Sequence, residues 1–252
     1  MTVKMPKTLL LATAFALCVS STAQAEQRAM VNVTTYPWST VARVGYGHGW
    51  CSAVLIGPSL AATAAHCLWN KTTHRQMKPQ ALNVVVGYDR GIPIDGSYVT
   101  GVTLPENWVP EETDHYGQEQ AGRDWALLEL EKPLGTIVGW VALSDAIKPG
   151  VPVAAAGYGT GISAVVAADT ACHMKGHKST GAWTYDCDTV PGDSGGPVFS
   201  WDGNAPRVVA VNVARFGGRE GGAVAAADFI AQARKLGAPN ENNAVKLIES
   251  HQ

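Results

Sequence analysis

What this chain lacks narrows its chemistry before any motif is read. None of its five cysteines falls in a Cys-x-x-Cys pair, the commonest donor spacing of a structural zinc site. Nineteen basic residues stand against 21 acidic ones, a formal net charge of −2. The strongly basic surface that nucleic acid demands is missing, so no nucleic-acid partner is expected. Beyond the first 25 residues no apolar run approaches the roughly 20 residues of a membrane-spanning helix. No internal repeat and no low-complexity linker divides the sequence, and helical periodicity is absent until close to its end.

The first residues read as a leader. Lys4 and Lys7 precede an apolar run from Leu9 to Val19, and Ala23-Gln24-Ala25 closes it with small residues at the cleavage positions. Residues 1–25 are therefore expected to be a secretory signal peptide cut after Ala25, leaving a secreted or periplasmic protein with no membrane attachment. Cys18 does not make a lipoprotein signal, because bulky Leu17 stands where a small residue is needed. Loss of two lysines and no acid moves the formal charge to about −4 over about 227 residues. That length suffices for one large or two small domains with a substantial core.

Four cysteines then remain: Cys51, Cys67, Cys172 and Cys187. An even count in an exported chain suggests two disulfides, with three pairings open. The spacing favours Cys51 with Cys67 and Cys172 with Cys187. Each loop of about 15 residues would contribute about 3 kcal/mol in the chain-entropy account. Cys172-His173 with His177 is the competing metal-site reading, weakened by the missing Cys-x-x-Cys; no metal is expected.

Short β-branched or alternating runs recur, separated by Gly, Pro, Asn and Asp: Thr40–Val44, Ser52–Ile56, Leu82–Val86, Tyr98–Leu104, Trp125–Leu130, Val151–Ala156, Pro197–Trp201 and Val208–Val213. Their length and spacing predict strands of a barrel or sandwich. Asp202-Gly203-Asn204 reads as a hairpin turn. Ala225–Leu236 is the helical segment, with Arg234 and Lys235 in its last turn and Gly237 as its stop. A half-way boundary falls near Leu134–Val141, and residues 237–252 form a tail. The eight tryptophans are expected to serve packing, and Asn32-Val33-Thr34 and Asn70-Lys71-Thr72 fit the glycosylation pattern.

The most informative stretch is Val190-Pro-Gly-Asp-Ser-Gly-Gly-Pro197. Ser194, with Gly192 before it and Gly195 and Gly196 after it, can combine a hydroxyl nucleophile with converging backbone N–H groups and room for a substrate carbonyl. The plain alternative is a glycine-rich turn. A base is offered by His66, which ends the small-residue run Ala61-Ala62-Thr63-Ala64-Ala65 and adjoins Cys67. Small neighbours would let a substrate reach the ring. Asp124 immediately precedes the apolar run Trp125–Leu130, a position at the mouth of a core where a carboxylate can fix a histidine tautomer. Asp89, Asp95 and Asp114 lie in polar, turn-like surroundings that suit solvated or capping roles.

The order His66, Asp124, Ser194, with Ala65-His66-Cys67 and Gly192-Asp193-Ser194-Gly195-Gly196-Pro197, resembles the chymotrypsin-like serine proteases; α/β-hydrolases run Ser, acid, His. Val33-Thr34-Thr35-Tyr36-Pro37-Trp38, Leu55-Ile56-Gly57-Pro58, Lys132-Pro133-Leu134-Gly135 and Cys187-Asp188-Thr189 are similar to bacterial glutamyl endopeptidases of the V8-like group. The resemblance covers roughly residues 31–235. It implies an all-β fold of two six-stranded antiparallel β-barrels, about 31–135 and 136–236, with a C-terminal α-helix and a protease domain spanning 26–236. It also implies a monomeric serine endopeptidase acting on proteins or peptides without a cofactor. His66, Asp124 and Ser194 would be its catalytic residues, and the N–H groups of Gly192 and Ser194 its oxyanion hole.

The specificity pocket reads two ways. Asp188, six positions before Ser194, is where trypsin-like relatives carry the acid that selects Arg or Lys. Thr189 instead matches the glutamyl endopeptidases, but the histidine by which those proteins bind a substrate carboxylate corresponds to Asn212 here. Arg215, His173 or His177 would then have to supply the charge, or the preference is altered or relaxed. Asp193 raises a question of activation, since trypsin-like zymogens pair that acid with a newly freed amino terminus. The sequence has no Ile-Val-Gly-Gly start, and Arg28-Ala29 is the nearest basic bond at which a propeptide could be cut. Two rival functions use the same scaffold: a catalytically silent binding protein, which would usually lose a triad residue or an oxyanion glycine, and an esterase sharing the triad.

Overall fold

The computed structural model describes residues 1–2, 28–47, 49–106, 108–110, 120–161 and 164–245. All but the first two residues of the expected signal peptide, and Asp114, lie outside these residues. The described chain runs β1 (Ala29–Met30), β2 (Val41–Tyr46), β3 (Gly49–Gly57), β4 (Leu60–Thr63), β5 (Trp69–Asn70), β6 (Arg75–Gln76), β7 (Asn83–Val86), β8 (Asp95–Thr103), β9 (Ala126–Leu130), α1 (Leu134–Val138), β10 (Pro152–Gly157), β11 (Ala167–His177), β12 (Trp183–Tyr185), β13 (Pro197–Asp202), β14 (Ala205–Gly217), β15 (Glu220–Ala225) and α2 (Ile230–Lys235).

Strands β2-β3-β4-β9-β8-β7 close into one antiparallel barrel. In the second unit β10 pairs with β11 and β13, β14 lies between β13 and β15, and β12 joins β15 back to β11. That ring of six is a second closed barrel, with β1 added outside on β11. Closure removes the exposed sheet edges that an open sheet of this size would present. The all-β expectation of two six-stranded barrels with a C-terminal helix is met.

Period-two burial explains the strands. In β7, Val84 and Val86 are buried while Asn83 is exposed, and in β11 Cys172 and Met174 are buried while His173 and Lys175 are exposed. The reach of β11, β12 and β15 was not legible in the sequence. Glu220-Gly-Gly-Ala-Val-Ala has one β-branched residue and owes its extended form to pairing with both β12 and β14. The terminal helix is shorter than expected. A 3₁₀ turn at Ala226–Asp228 precedes it, and Phe229, at φ −131°, breaks the two apart and packs on Trp125, ring centroids 5.7 Å apart.

Both disulfides form as the spacing favours, Cys51–Cys67 and Cys172–Cys187. The tail is tied down as far as it is described: Trp140 Nε1 donates to Glu241 O at 2.9 Å, and Asn242 Oδ1 accepts from Ala142 N at 2.8 Å. Asn32 and Asn70 each fold their carboxamide oxygen back onto backbone N–H groups of the following threonines.

Candidate active site

Strand pairing brings His66 and Asp124 together. Thr63, the last residue of β4, lies opposite Ala126, the first of β9. The chain leaves β4 in a 3₁₀ turn, Ala65–Leu68, carrying His66, and enters β9 from a second 3₁₀ turn, Ala121–Arg123, that ends on Asp124. Two residues 58 apart in sequence therefore meet at one end of the first barrel. Asp124 is 1 % exposed. Its Oδ1 accepts the backbone N–H of His66 at 2.8 Å, and its Oδ2 lies 2.5 Å from His66 Nδ1. An ionised carboxylate only accepts, so Nδ1 carries the proton and the lone pair is left on Nε2.

The small residues before His66 serve packing more than access. Ala61, Ala62, Ala64 and Ala65 are buried in the barrel, and their end of β4 lets another backbone come close. That backbone is the Ser194 loop. A Cβ built on Gly195, at φ +83°, would lie 2.1 Å from both Ser52 O and Thr63 Oγ1. Only glycine fits, for want of space and because of its left-handed backbone.

Ser194 sits between β12 and β13, in a loop whose hydrogen bonds are unevenly spent. Asp193 N–H donates to Val190 O, Gly195 N–H to Asn212 O at 2.7 Å, and Gly196 N–H to Asp193 O at 2.8 Å. Among the described residues the N–H groups of Gly192 and Ser194 donate to no acceptor in the protein. Gly192 has φ +96°, and a Cβ there would stand 2.6 Å from Tyr158 O. Two backbone donors left unspent on either side of Asp193 are suited to an anionic oxygen.

Ser52, which sequence reasoning missed, ties this loop to the first barrel. Its N–H donates to Ser194 O at 2.8 Å, and its hydroxyl donates to Gly192 O at 2.8 Å while accepting from Tyr158 N. Nothing local to Ser52 in the sequence marks this role, since its partners lie more than 100 positions away. Arg28 was missed as well, having read only as a basic site near the start. Its guanidinium is buried and grips both carboxylate oxygens of Asp193, with Nη2 to Oδ1 at 2.6 Å.

A cleft of about 830 Å³ opens over these groups, walled by His66, Gly192, Ser194, Thr189 and Asn212. Trp50 and Trp69 also line it, so not every tryptophan is committed to packing. Thr189 is 4 % exposed and its hydroxyl has no hydrogen-bond partner among the described residues. Asn212 accepts the Tyr185 hydroxyl on Oδ1 at 2.5 Å. Its amide NH₂ is the remaining polar function. Among the described residues Asp188 is not one of those lining the cleft; its N–H donates to Asp169 Oδ2, which also pairs with Arg219. His173 and His177 occupy exposed positions of β11, and the His177 ring stacks edge-on against Trp183 at 5.3 Å. Arg215 stands at the rim with Nη2 bonded to Gly218 O. Cys51, Cys67 and His66 cluster closely enough to hold a metal, but both sulfurs are spent in a disulfide. Cys172 is likewise oxidised, which removes the thiolate from the His173/His177 alternative.

A family model described as Trypsin matches residues 27–232. The curated glutamyl endopeptidase of Bacillus licheniformis is 26 % identical over 175 residues, covering 68 % of this chain and 51 % of that protein. The chain thus spans about half the length of this relative. A solved structure described as Glu endopeptidase in complex with MPD superposes with a TM-score of 0.69, covering 85 % of this chain and 98 % of the other at 21 % identity, a likeness of fold. With the family model covering most of its length, the chain belongs to the trypsin family.

Proposed function

We propose that this protein is an exported serine endopeptidase that cleaves proteins or peptides through an acyl-enzyme, with Ser194 as nucleophile, His66 as general base and acid, and Asp124 as the group that orients it. The observation carrying this reading is the His66 Nδ1–Asp124 contact in the same cleft as a serine whose own N–H and that of Gly192 have no acceptor among the described residues. The leader-like residues 1–25 and the two disulfides support export.

In the first half-reaction Ser194 Oγ attacks the scissile carbonyl carbon and its proton passes to His66 Nε2. The carbonyl π pair moves onto oxygen, where the Gly192 and Ser194 N–H groups receive the negative charge. As the C–N bond breaks, the imidazolium returns its proton to the departing amine. Water then repeats the sequence on the ester, releasing the acid and restoring the hydroxyl. Asp124 stays ionised throughout and stabilises the imidazolium. No step draws on a metal or an organic cofactor.

For the residue before the scissile bond, a Glu-like or relaxed preference is better supported than one for Arg or Lys. Asp188 is not among the residues that line the cleft, whereas Thr189 and Asn212 are. Those groups suit a side chain ending in a carboxylate or carboxamide oxygen, with no fixed positive charge to demand the ionised form. Casein digestion and a peptide-library profile of wild type and Ser194→Ala test the proposal. We expect cuts after Glu or Gln by wild type and almost none by the variant. Dominant cuts after Arg or Lys would overturn the specificity, and near-normal digestion by the variant would overturn the mechanism.

A further inference from the structure

Arg28 sets a positive charge beside Asp193, the acid that precedes Ser194. Strand β1 adds Ala29 and Met30 to β11, opposite Ala168 and Ala167, and Val31 N–H continues the pairing to Val166 O at 3.1 Å. This zipper delivers Arg28 beneath the nucleophile loop. Its guanidinium forms a two-pronged pair with Asp193 and donates to Gly157 O at 3.0 Å; side-chain exposures are 7 % for Arg28 and 4 % for Asp193.

The pocket is shaped for the pair. A Cβ on Gly157 would stand 2.7 Å from Asp193 Oδ1, and one on Gly159 would stand 2.8 Å from Asp193 Oδ1 and 3.1 Å from Arg28 Nη2. Burial pushes the Asp193 carboxyl above its ordinary range, and the Arg28 charge works against that rise. Asp193 Oδ2 in turn accepts Val190 N–H at 2.9 Å, so one carboxylate joins Arg28 to the turn that holds Gly192 and Ser194.

We propose that Arg28 is a positioning residue for catalysis: its guanidinium holds Asp193 so that the Gly192 and Ser194 N–H groups face the reacting carbonyl, replacing a freed amino terminus as the activating charge. Cutting the Arg28–Ala29 bond would then detach the guanidinium from β1 and disable the enzyme instead of switching it on. This rests on the serine-endopeptidase reading above. It adds that activity depends on a residue that touches no substrate.

The test compares wild type, Arg28→Met and Arg28→Lys in the full chain, after thermal melts establish which variants are folded. Steady-state kinetics on a peptide substrate is read together with the affinity of a peptide aldehyde, which forms a tetrahedral adduct with an active serine. Loss of oxyanion donors typically lowers kcat by ~10²–10³-fold. For Arg28→Met we expect a loss of that order in kcat, a parallel loss in aldehyde affinity and KM within about threefold. Arg28→Lys, which keeps a charge, should recover at least a tenth of the wild-type kcat. If the Met variant does not fold, Arg28→Gln takes its place with the same expectation. A folded, uncharged variant with kcat within threefold of wild type, or one whose loss lies in KM alone, would overturn the proposal. An inactive wild type that binds no aldehyde would instead refute the underlying endopeptidase reading.

Discussion

Replacing Asp124 by asparagine probes the site most finely, because the carboxylate has two partners that an amide cannot serve together. One oxygen accepts the His66 backbone N–H at 2.8 Å and the other meets Nδ1 at 2.5 Å. An asparagine that keeps its oxygen on the backbone N–H turns its NH₂ toward Nδ1. The ring must then protonate Nε2 and can no longer take the Ser194 proton. Flipping the amide restores the tautomer but sets NH₂ against a buried N–H. An unpaired buried donor costs about 1–3 kcal/mol, which keeps the flipped form a minority by roughly 5- to 150-fold. Even that minority lacks the negative charge that stabilises the imidazolium. The two effects together should approach the ~10⁴-fold loss in kcat typical of this change in a serine triad, roughly 5 kcal/mol of barrier. The assay is kcat and KM on a peptide substrate, with a thermal melt to verify folding. A folded Asp124→Asn enzyme within tenfold of wild-type kcat would refute the assignment of Asp124 as orienter.

Further outcomes follow from groups away from the nucleophile. Ser52→Ala leaves Tyr158 N–H and Gly192 O without their 2.8 Å partner, at about 1–3 kcal/mol for a buried group so stranded. Its melting temperature and kcat should both fall, and a variant unchanged in both would contradict the linking role of Ser52. Burial raises the hydroxyl of Tyr36 to about 12 and also pushes up those of Tyr158 and Tyr185. Since the unfolded value is ~10, this contribution to stability is complete below pH ~10 and is lost as pH rises through the folded values. Tyrosinate absorbance from these three should therefore appear only together with loss of circular dichroism; three that titrate near pH ~10 in an intact fold would contradict it.

The candidate site was legible because its signals are local. Ser194 sits in a glycine-rich octet, His66 beside a disulfide, and Asp124 at the mouth of an apolar strand, each recognisable within a few residues. The barrels were legible where valine and isoleucine alternate and not where alanine and glycine fill the strands, as in Glu220–Ala225, whose extended form depends on both neighbours. Arg28 and Ser52 were invisible for a different reason. Each acts through a partner more than 100 positions away, and an isolated arginine or serine gives no sign of what the fold sets beside it. Asp188 is a different case: its spacing from Ser194 suggests a pocket acid, and the contact the fold gives its backbone N–H, to the Asp169 carboxylate that pairs with Arg219, has no trace in that spacing.

Covalent labelling reports whether Ser194 is an activated nucleophile. A serine-directed fluorophosphonate is added to native wild-type protein and to His66→Ala, and the modified peptide is identified by mass spectrometry. Rapid, stoichiometric modification of Ser194 is expected in wild type and little in the variant. An unlabelled wild type, modification at another residue, or equal labelling without His66 would contradict it.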